Sequence, residues 1–371
     1  VKALLAEKLL AEVTGIDDLS RLTEITQRLR TLADVKYDDY DGYGPGVRFM
    51  ESLALWLNEF KDEHREPALK FILNRLTYIS GTELDHLVST VYKDMLRPKL
   101  LEAAARQLML PTWAVTRIAK SAEFQSIQRR TLILGMSDGA RLDKLRRASQ
   151  LSTEQFHLVS TLDEDKAMDM KSKLGEALRE RQLPGEAKFQ SVIVVDDFSG
   201  SGTTMLRFDD DAWKGKLPKI QRHIADLKLN GVVAQDASVI VLLYLLTHLA
   251  KCQLISRMQE AGLTEPDFTL IAAHTFDEDF PLTEENDGEF WGICAEYFRK
   301  EWANQHSALA GDLSHGFGGS ALPLIIHHNA PNNAPPILWK DESNESVRGD
   351  ATQREWIGVF PRHERHHPGR P

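Results

Sequence analysis

The stretch Val192-Ile193-Val194-Val195-Asp196-Asp197-Phe198-Ser199-Gly200-Ser201-Gly202-Thr203-Thr204 concentrates residue types that could do chemistry. An apolar run that reads as a buried strand ends in two carboxylates, passes into a loop of small residues and is expected to enter a helix. Gly200 and Gly202 permit a tight turn whose backbone can approach a ligand closely. The hydroxyls of Ser201, Thr203 and Thr204, with successive backbone N–H groups, can ring a phosphate at a helix N-terminus. Two adjacent carboxylates suit a plain phosphate binder poorly. They make sense if they accept hydrogen bonds from a sugar diol, or if they approach magnesium carried by the ligand. A nucleotide P-loop is excluded because no lysine follows Gly202, and a dinucleotide fingerprint because Met205 stands where a third glycine is needed. The bland alternative is a glycine-rich turn with a capping aspartate, and the length of the strand–loop–helix pattern weighs against it.

The arrangement resembles the phosphoribosyl pyrophosphate-binding motif of type I phosphoribosyltransferases: four hydrophobic residues, two acids, three variable residues, then Thr/Ser-Gly-x-Thr/Ser. Here these are Val192–Val195, Asp196–Asp197, Phe198–Gly200 and Ser201-Gly202-Thr203-Thr204. The resemblance implies that Asp196 and Asp197 hold the ribose 2- and 3-hydroxyls. It likewise gives the 5-phosphate to Ser199, Gly200, Ser201, Gly202, Thr203 and Thr204. A second strand-then-glycine turn, Leu132-Ile133-Leu134-Gly135-Met136-Ser137-Asp138-Gly139-Ala140-Arg141, precedes a basic helix with Lys144, Arg146 and Arg147. In the type I fold the first core strand ends in a loop that contacts pyrophosphate, which needs exposed N–H groups and a cation. Asp138, Gly139 and Arg141 are the residues so implied, with Lys144 the next cation. Equally, Ser137 or Asp138 could simply cap a helix with a solvated basic face.

A third stretch, Leu322 to Trp339, delivers a strand into a loop dense in Asn and Pro. Asn332 and Asn333 offer both donors and acceptors, which suits a nucleobase edge, although both residue types are also ordinary in turns. Together Asp138–Arg141, Asp196–Thr204 and the run Asn329 to Trp339 are similar to a bacterial family of phosphoribosyltransferase-like proteins of biological-conflict loci, including effectors beside retron reverse transcriptases. The similarity extends to Ala68–Leu101 and to Val359–Arg362, so it covers most of residues 60–362. It implies a phosphoribosyl-ligand fold in a defence context, with magnesium carried mainly by the ligand, and a winged-helix-like N-terminal module as one option. One departure stands out: type I transferases insert a flexible catalytic loop before the phosphate-binding strand, whereas Leu162–Gln190 reads largely as a helix.

These loops need a frame. From Thr131 onward short apolar runs alternate with helical patterns: Thr131–Leu134, Phe156–Val159, Val192–Val195, Ser238–Leu245, Phe268–Ala272 and Leu322–Ile326. Strands separated by helix-length connectors imply crossover units, and continuously apolar strands are covered on both faces. The expected fold is α/β, a mostly parallel Rossmann-like sheet in residues 127–371, preceded by an α-helical domain in residues 1–126. No strand is expected before about residue 130; helical patterns run through Pro67–Tyr78 and Thr82–Leu96, with Thr82-Glu83-Leu84-Asp85 as a capping-box-like start. Trp356, Val359 and Phe360 are expected to pack back onto the fold.

The bulk properties narrow the function classes. A formal net charge of −10 argues against broad nucleic-acid binding, though the Arg117–Arg130 stretch leaves a local contact through the helical domain open. Cys252 and Cys294, the two cysteines, have no partner spacing, which excludes a disulfide scaffold or a cysteine zinc site and fits a reducing cytoplasm. No signal peptide and no membrane span are expected, since the apolar run Ser238–Ala250 is too short. The group His363, His366 and His367 reads as an incidental basic tail, and no resident metal is assigned. His315-Gly316-Phe317-Gly318-Gly319 is similar to an esterase oxyanion loop, but no Gly-x-Ser-x-Gly nucleophile elbow is expected to serve it and it reads as a flexible loop. The expected activity is transfer or hydrolysis at ribose C1. The competing reading is a non-catalytic nucleotide sensor in a defence complex, meeting a partner or nucleic acid through its helical domain.

Overall fold

A computed structural model of the chain describes residues 2–161, 164–264, 268–303, 312–342 and 355–362. The described strands, in chain order, are β1 (Thr77–Ile79), β2 (Thr131–Gly135), β3 (Phe156–Leu158), β4 (Phe189–Ser199), β5 (Arg207–Asp209), β6 (Ala212–Lys214), β7 (Val233–Thr247), β8 (Phe268–Phe276) and β9 (Leu324–Ile326). The chain divides into two compact units, residues 1–83 with 278–371, and residues 84–277.

The second unit holds a five-stranded parallel sheet in the order β3-β2-β4-β7-β8. Counted along the chain, these strands lie 2-1-3-4-5, a doubly wound arrangement. The central strands β2, β4 and β7 are apolar without alternation because helices cover both faces. On one face, helix Glu164–Glu180 presents Ala167, Met170, Leu174 and Leu178 at helical spacing. With Ile220, Ile224 and Leu227 of helix Lys216–Leu229, they cover Leu132, Leu134, Val192, Val194 and Val239. Farther along the same face, Ala250 and Leu254 of helix His248–Glu260 pack with Val241 and Leu243, two and four positions on from Val239.

The first unit is built from helices around an aromatic core. Phe49, Trp56, Phe60, Trp356 and Phe360 pack together in it, and Tyr40 OH donates to Pro361 O at 2.9 Å. The expected return of Trp356, Val359 and Phe360 to the fold is thus observed, within this unit. Here β1 and β9 form a separate two-stranded parallel sheet, Tyr78 opposite Ile325. Two sequence expectations are corrected by that pair. The helical pattern read as far as Tyr78 stops at Asn74, and the β-branched and aromatic Thr77-Tyr78-Ile79 pairs as a strand before residue 130. Leu324–Ile326 is not a sixth strand of the main sheet, because its partner is β1.

The compact units do not part at residue 126. Residues 84–126 belong with the sheet, and the helix Ala122–Arg129 is tied to it: Thr131 Oγ1 donates to Ile127 O at 2.9 Å and Gln155 Nε2 to Gln128 O at 2.9 Å. Residues 278–371 belong with the N-terminal helices. Among the described residues of 2–126 there is no antiparallel hairpin to serve as the wing of a winged helix. No helix of the described residues is long and apolar enough to cross a membrane.

Candidate functional site

β2 and β4 end side by side, Gly135 opposite Val195, and Met136 N donates to Val195 O at 2.9 Å just beyond the strand. The chain leaves β2 toward one edge of the sheet and β4 toward the other. Such a switch point opens a crevice at the carboxyl ends of the strands, where ligands of doubly wound sheets bind. The turns after these two strands are the ones that the sequence singled out.

β4 runs through the acidic pair to Ser199, longer than the apolar run alone predicts, because Phe198 and Ser199 still pair with Leu245 and Leu246. Asp196 is consequently 1% exposed. One of its oxygens accepts from Ser137 Oγ at 2.6 Å and the other pairs with Lys216 Nζ. Burial pushes its pKa up and the charge of Asp197 adds to this, while Lys216 and Ser137 oppose it. Asp197 is half-buried, and its Oδ1 accepts from Phe198 N at 2.9 Å. Its Oδ2 lies where a β-carbon on Gly139 would be only 2.5 Å away. Gly139 therefore lets the first loop close against the second acid.

Beyond the strand, Ser201 Oγ donates to Thr203 Oγ1 at 3.2 Å. Gly202 takes φ +72°, and its carbonyl accepts from Met205 N and Leu206 N at 3.0 and 2.9 Å. Ser199, Gly200, Ser201 and Gly202 are buried, Thr203 is half-buried and Thr204 is exposed. The helix expected to start here does not. The chain makes a single turn and then the hairpin β5–β6, and the helix begins at Lys216. Asp210 and Asp211, both at positive φ, turn the hairpin, and Gly215 at φ +122° ends it. Lys216 N then donates to Thr204 O at 3.0 Å, which brings the helix start back to the loop and Lys216 to Asp196.

β7 braces both loops from below. Tyr244 OH donates to Ala140 O at 2.7 Å, and Thr247 Oγ1 donates to Gly200 O at 2.7 Å while accepting from Ala250 N at 3.0 Å as the cap of the next helix. Burial, reinforced by the Asp197 charge, raises the Tyr244 pKa and keeps the phenol protonated.

The other sequence candidates fall out as follows. Arg141 adopts a left-handed backbone (φ 45°), and its Nη1 donates to Asp85 Oδ1 at 2.8 Å; Lys144 Nζ donates to Asp85 Oδ2 at 2.7 Å. Burial pushes Asp85 up, but Lys144 and Arg141 outweigh it and hold its pKa below the usual carboxylate range. Asp138 opens a short 3-10 turn, Asp138–Ala140, whose preceding Ser137 spends its hydroxyl on Asp196 instead of capping. The capping box read at Thr82–Asp85 lies two residues earlier: Ser80 Oγ accepts from Glu83 N, and Glu83 Oε2 accepts from Ser80 N at 2.9 Å. That shift frees Asp85 for the two cations.

Asn332 and Asn333 belong to the other compact unit. Asn333 is buried, and its Nδ2 donates to Phe317 O at 3.1 Å and Ser320 Oγ at 2.9 Å, so its amide supports the 316–320 turn. Asn332 has an exposed side chain. His315 is buried, stacked on Trp291 and hydrogen-bonded to Ser314 and to Trp291 O, a packed residue of that unit. His363, His366 and His367 lie outside the described residues. Gly135-Met136-Ser137-Asp138-Gly139 spells the Gly-x-Ser-x-Gly pattern of a nucleophile elbow, which the sequence reading did not credit. Ser137 is extended here (φ −156°, ψ 172°) and lacks the strained turn of an elbow.

Sequence reasoning missed Lys216, Tyr244 and Thr247. Each reaches the site by tertiary contact from an element that carries no motif. Among the described residues no group of three or more His, Cys, Asp or Glu could hold a metal ion. Two adjacent carboxylates, one already paired with Lys216, fit a magnesium ion shared with ligand oxygens better than a resident one. The arrangement as a whole sets hydroxyls and backbone around one small-residue turn, with a buried, paired carboxylate (Asp196) and a half-buried one (Asp197) beside it.

A family model, PRTase-CE, matches residues 53–362. No curated protein and no solved structure matches the chain.

Proposed function

The chain belongs to the PRTase-CE family, whose members are phosphoribosyltransferase-like conflict effectors, and from that premise we propose that it binds phosphoribosyl pyrophosphate or a related ribose-phosphate nucleotide at the 196–204 turn and acts at ribose C1. The observation that carries this reading is the Asp196–Asp197 pair at the switch point of the sheet, closed over by Gly139 and followed by the Ser201–Thr204 turn. The turn would take the 5-phosphate and the acids the ribose hydroxyls. Magnesium bound to the ligand would be held in part by Asp197 and would neutralise leaving-group charge.

With phosphoribosyl pyrophosphate the C1–O bond breaks, its electron pair leaves with pyrophosphate, a lone pair of the acceptor or of water forms the new bond at C1, and the proton that the nucleophile loses passes to the released pyrophosphate or to solvent. The protein contributes by fixing the sugar and by stabilising charge at both ends. Asp197→Asn is expected to abolish pyrophosphate release. Full activity in that variant would overturn the assignment. The biological setting we infer is antiphage defence in the cytoplasm, beside a partner such as a reverse transcriptase complex, with nucleic acid reached, if at all, through the helical domain.

A specific observation favours a second reading, a non-catalytic nucleotide sensor. Only residues 181–188 separate helix Glu164–Glu180 from β4, so that interval has little room for the flexible loop that type I transferases close over substrate. Arg141 and Lys144, the cations nearest the expected leaving group in sequence, are both engaged by Asp85. Isothermal titration with phosphoribosyl pyrophosphate and magnesium, followed by an assay for released pyrophosphate, separates the two. Binding without release supports the sensor, and release supports the enzyme.

A further inference from the structure

Beside the turn lies a cavity of about 450 Å³, lined by Thr204, Arg207, Trp213, Lys214, Gly215, Lys216, Pro218, Lys219 and Arg222. Five of these side chains are cationic and one is an indole, in a chain whose net charge is −10. Two residues belong to both places. Thr204 closes the phosphate turn, and Lys216 lines the cavity while its Nζ pairs with Asp196. Local carboxylates offset the cations only in part. Lys214 is paired with Asp209 and Asp210, and Arg207 lies 3.8 Å from Asp209. Lys219 and Arg222, on the exposed side of helix Lys216–Leu229, form no ion pair among the described residues. The size is that of a small-molecule site, of order 300–1,000 Å³. Cations grouped at that density call for an anion with more than one charge.

Resting on the reading of the turn as a 5-phosphate cup, we propose that the cavity takes a second nucleotide joined to the bound ribose through its 5′-phosphate. The ligand would then be a dinucleotide linked by a 5′,5′-diphosphate, its reactive C1 at the acidic pair and its distal phosphate and base in the cavity. Lys219 and Arg222 would meet the distal phosphate, and Trp213 offers a ring face to the base. A mononucleotide or phosphoribosyl pyrophosphate would fill the turn alone, since what each carries besides the 5-phosphate, a base or a diphosphate, sits on C1, at the other end of the sugar.

Isothermal titration of the full chain with ADP-ribose and with ribose 5-phosphate tests this, because the two share the terminal ribose phosphate and differ by the nucleotidyl extension. ADP-ribose is expected to bind at least about tenfold more tightly, a difference of ~1.4 kcal/mol. The Lys219→Ala, Arg222→Ala double variant, altered at two exposed positions, is expected to bring the ratio of the two affinities close to one. Equal affinities in the native protein, or an undiminished ratio in the double variant, would overturn the proposal while leaving the turn's assignment intact. Binding of neither ligand would overturn the assignment of the turn and this inference with it. A single-stranded oligonucleotide that outcompetes ADP-ribose, and loses that advantage in the double variant, would give the cavity to nucleic acid instead.

Discussion

Gly139 shows how much of the site depends on a single missing side chain. Its backbone is unremarkable, but a β-carbon would sit 2.5 Å from Asp197 Oδ2. Gly139→Ala is expected to push the acid out of place and weaken phosphoribosyl pyrophosphate binding by at least about tenfold, ~1.4 kcal/mol, with the circular dichroism spectrum unchanged. Asp196 gives a pH signature with two opposite signs. Its folded pKa is raised by burial and by Asp197. The folded protein therefore holds this proton more tightly than the unfolded chain, and the ligand-free fold loses stability as pH rises from the ordinary aspartate value through the raised one. Ligand affinity moves the other way across that window, because a diol needs the ionised acceptor. Melting temperatures and titrations over that window check both slopes, and Asp196→Asn should flatten the first. The acids and the small-residue turn were legible because their chemistry is local in sequence. Lys216 was not: nothing about a lysine twenty positions on announces that a hairpin will fold it back onto Asp196.

At the scale of elements, the hairpin β5–β6 is where reading and structure part. A helix was expected straight after Thr204, but the chain makes only a single turn there. The Asp209-Asp210-Asp211 run then favours a tight reversal over helix continuation, and Gly215 at φ +122° allows the exit. A β-carbon there would lie 2.6 Å from Met205 O. Gly215→Ala is expected to destabilise the fold by on the order of 2 kcal/mol and to weaken ligand binding with it, since the same glycine seats Lys216; urea unfolding followed at Trp213 fluorescence checks this. The five strands of the parallel sheet were readable from continuous apolar runs punctuated by helix-length spacers. β1 was not, because three residues carry too little pattern to show a period, and its pairing with β9 joins positions far apart along the chain. Leu324–Ile326 looked like a strand and is one; only its partner differed.

For the whole molecule, the division into residues 1–83 with 278–371 and residues 84–277 means that every contact described around the turn comes from one continuous segment. Hydrogen exchange on adding phosphoribosyl pyrophosphate and magnesium is expected to slow at residues 136–141 and 199–206 and to leave 316–334 unchanged. Slowing at 316–334 would instead bring Asn332 to the ligand. A discontinuous unit of this kind is hard to read from sequence, because composition does not mark the return of residues 278–371 to the N-terminal helices. Within the sheet, Tyr244 and Thr247 stand three positions apart on β7, so they project from opposite faces, and each holds a carbonyl of a different turn. A slip of that strand by one position would exchange its faces and release both carbonyls together. Damage to β7 should therefore yield a protein blind to sugar and phosphate alike, never one that keeps half its recognition.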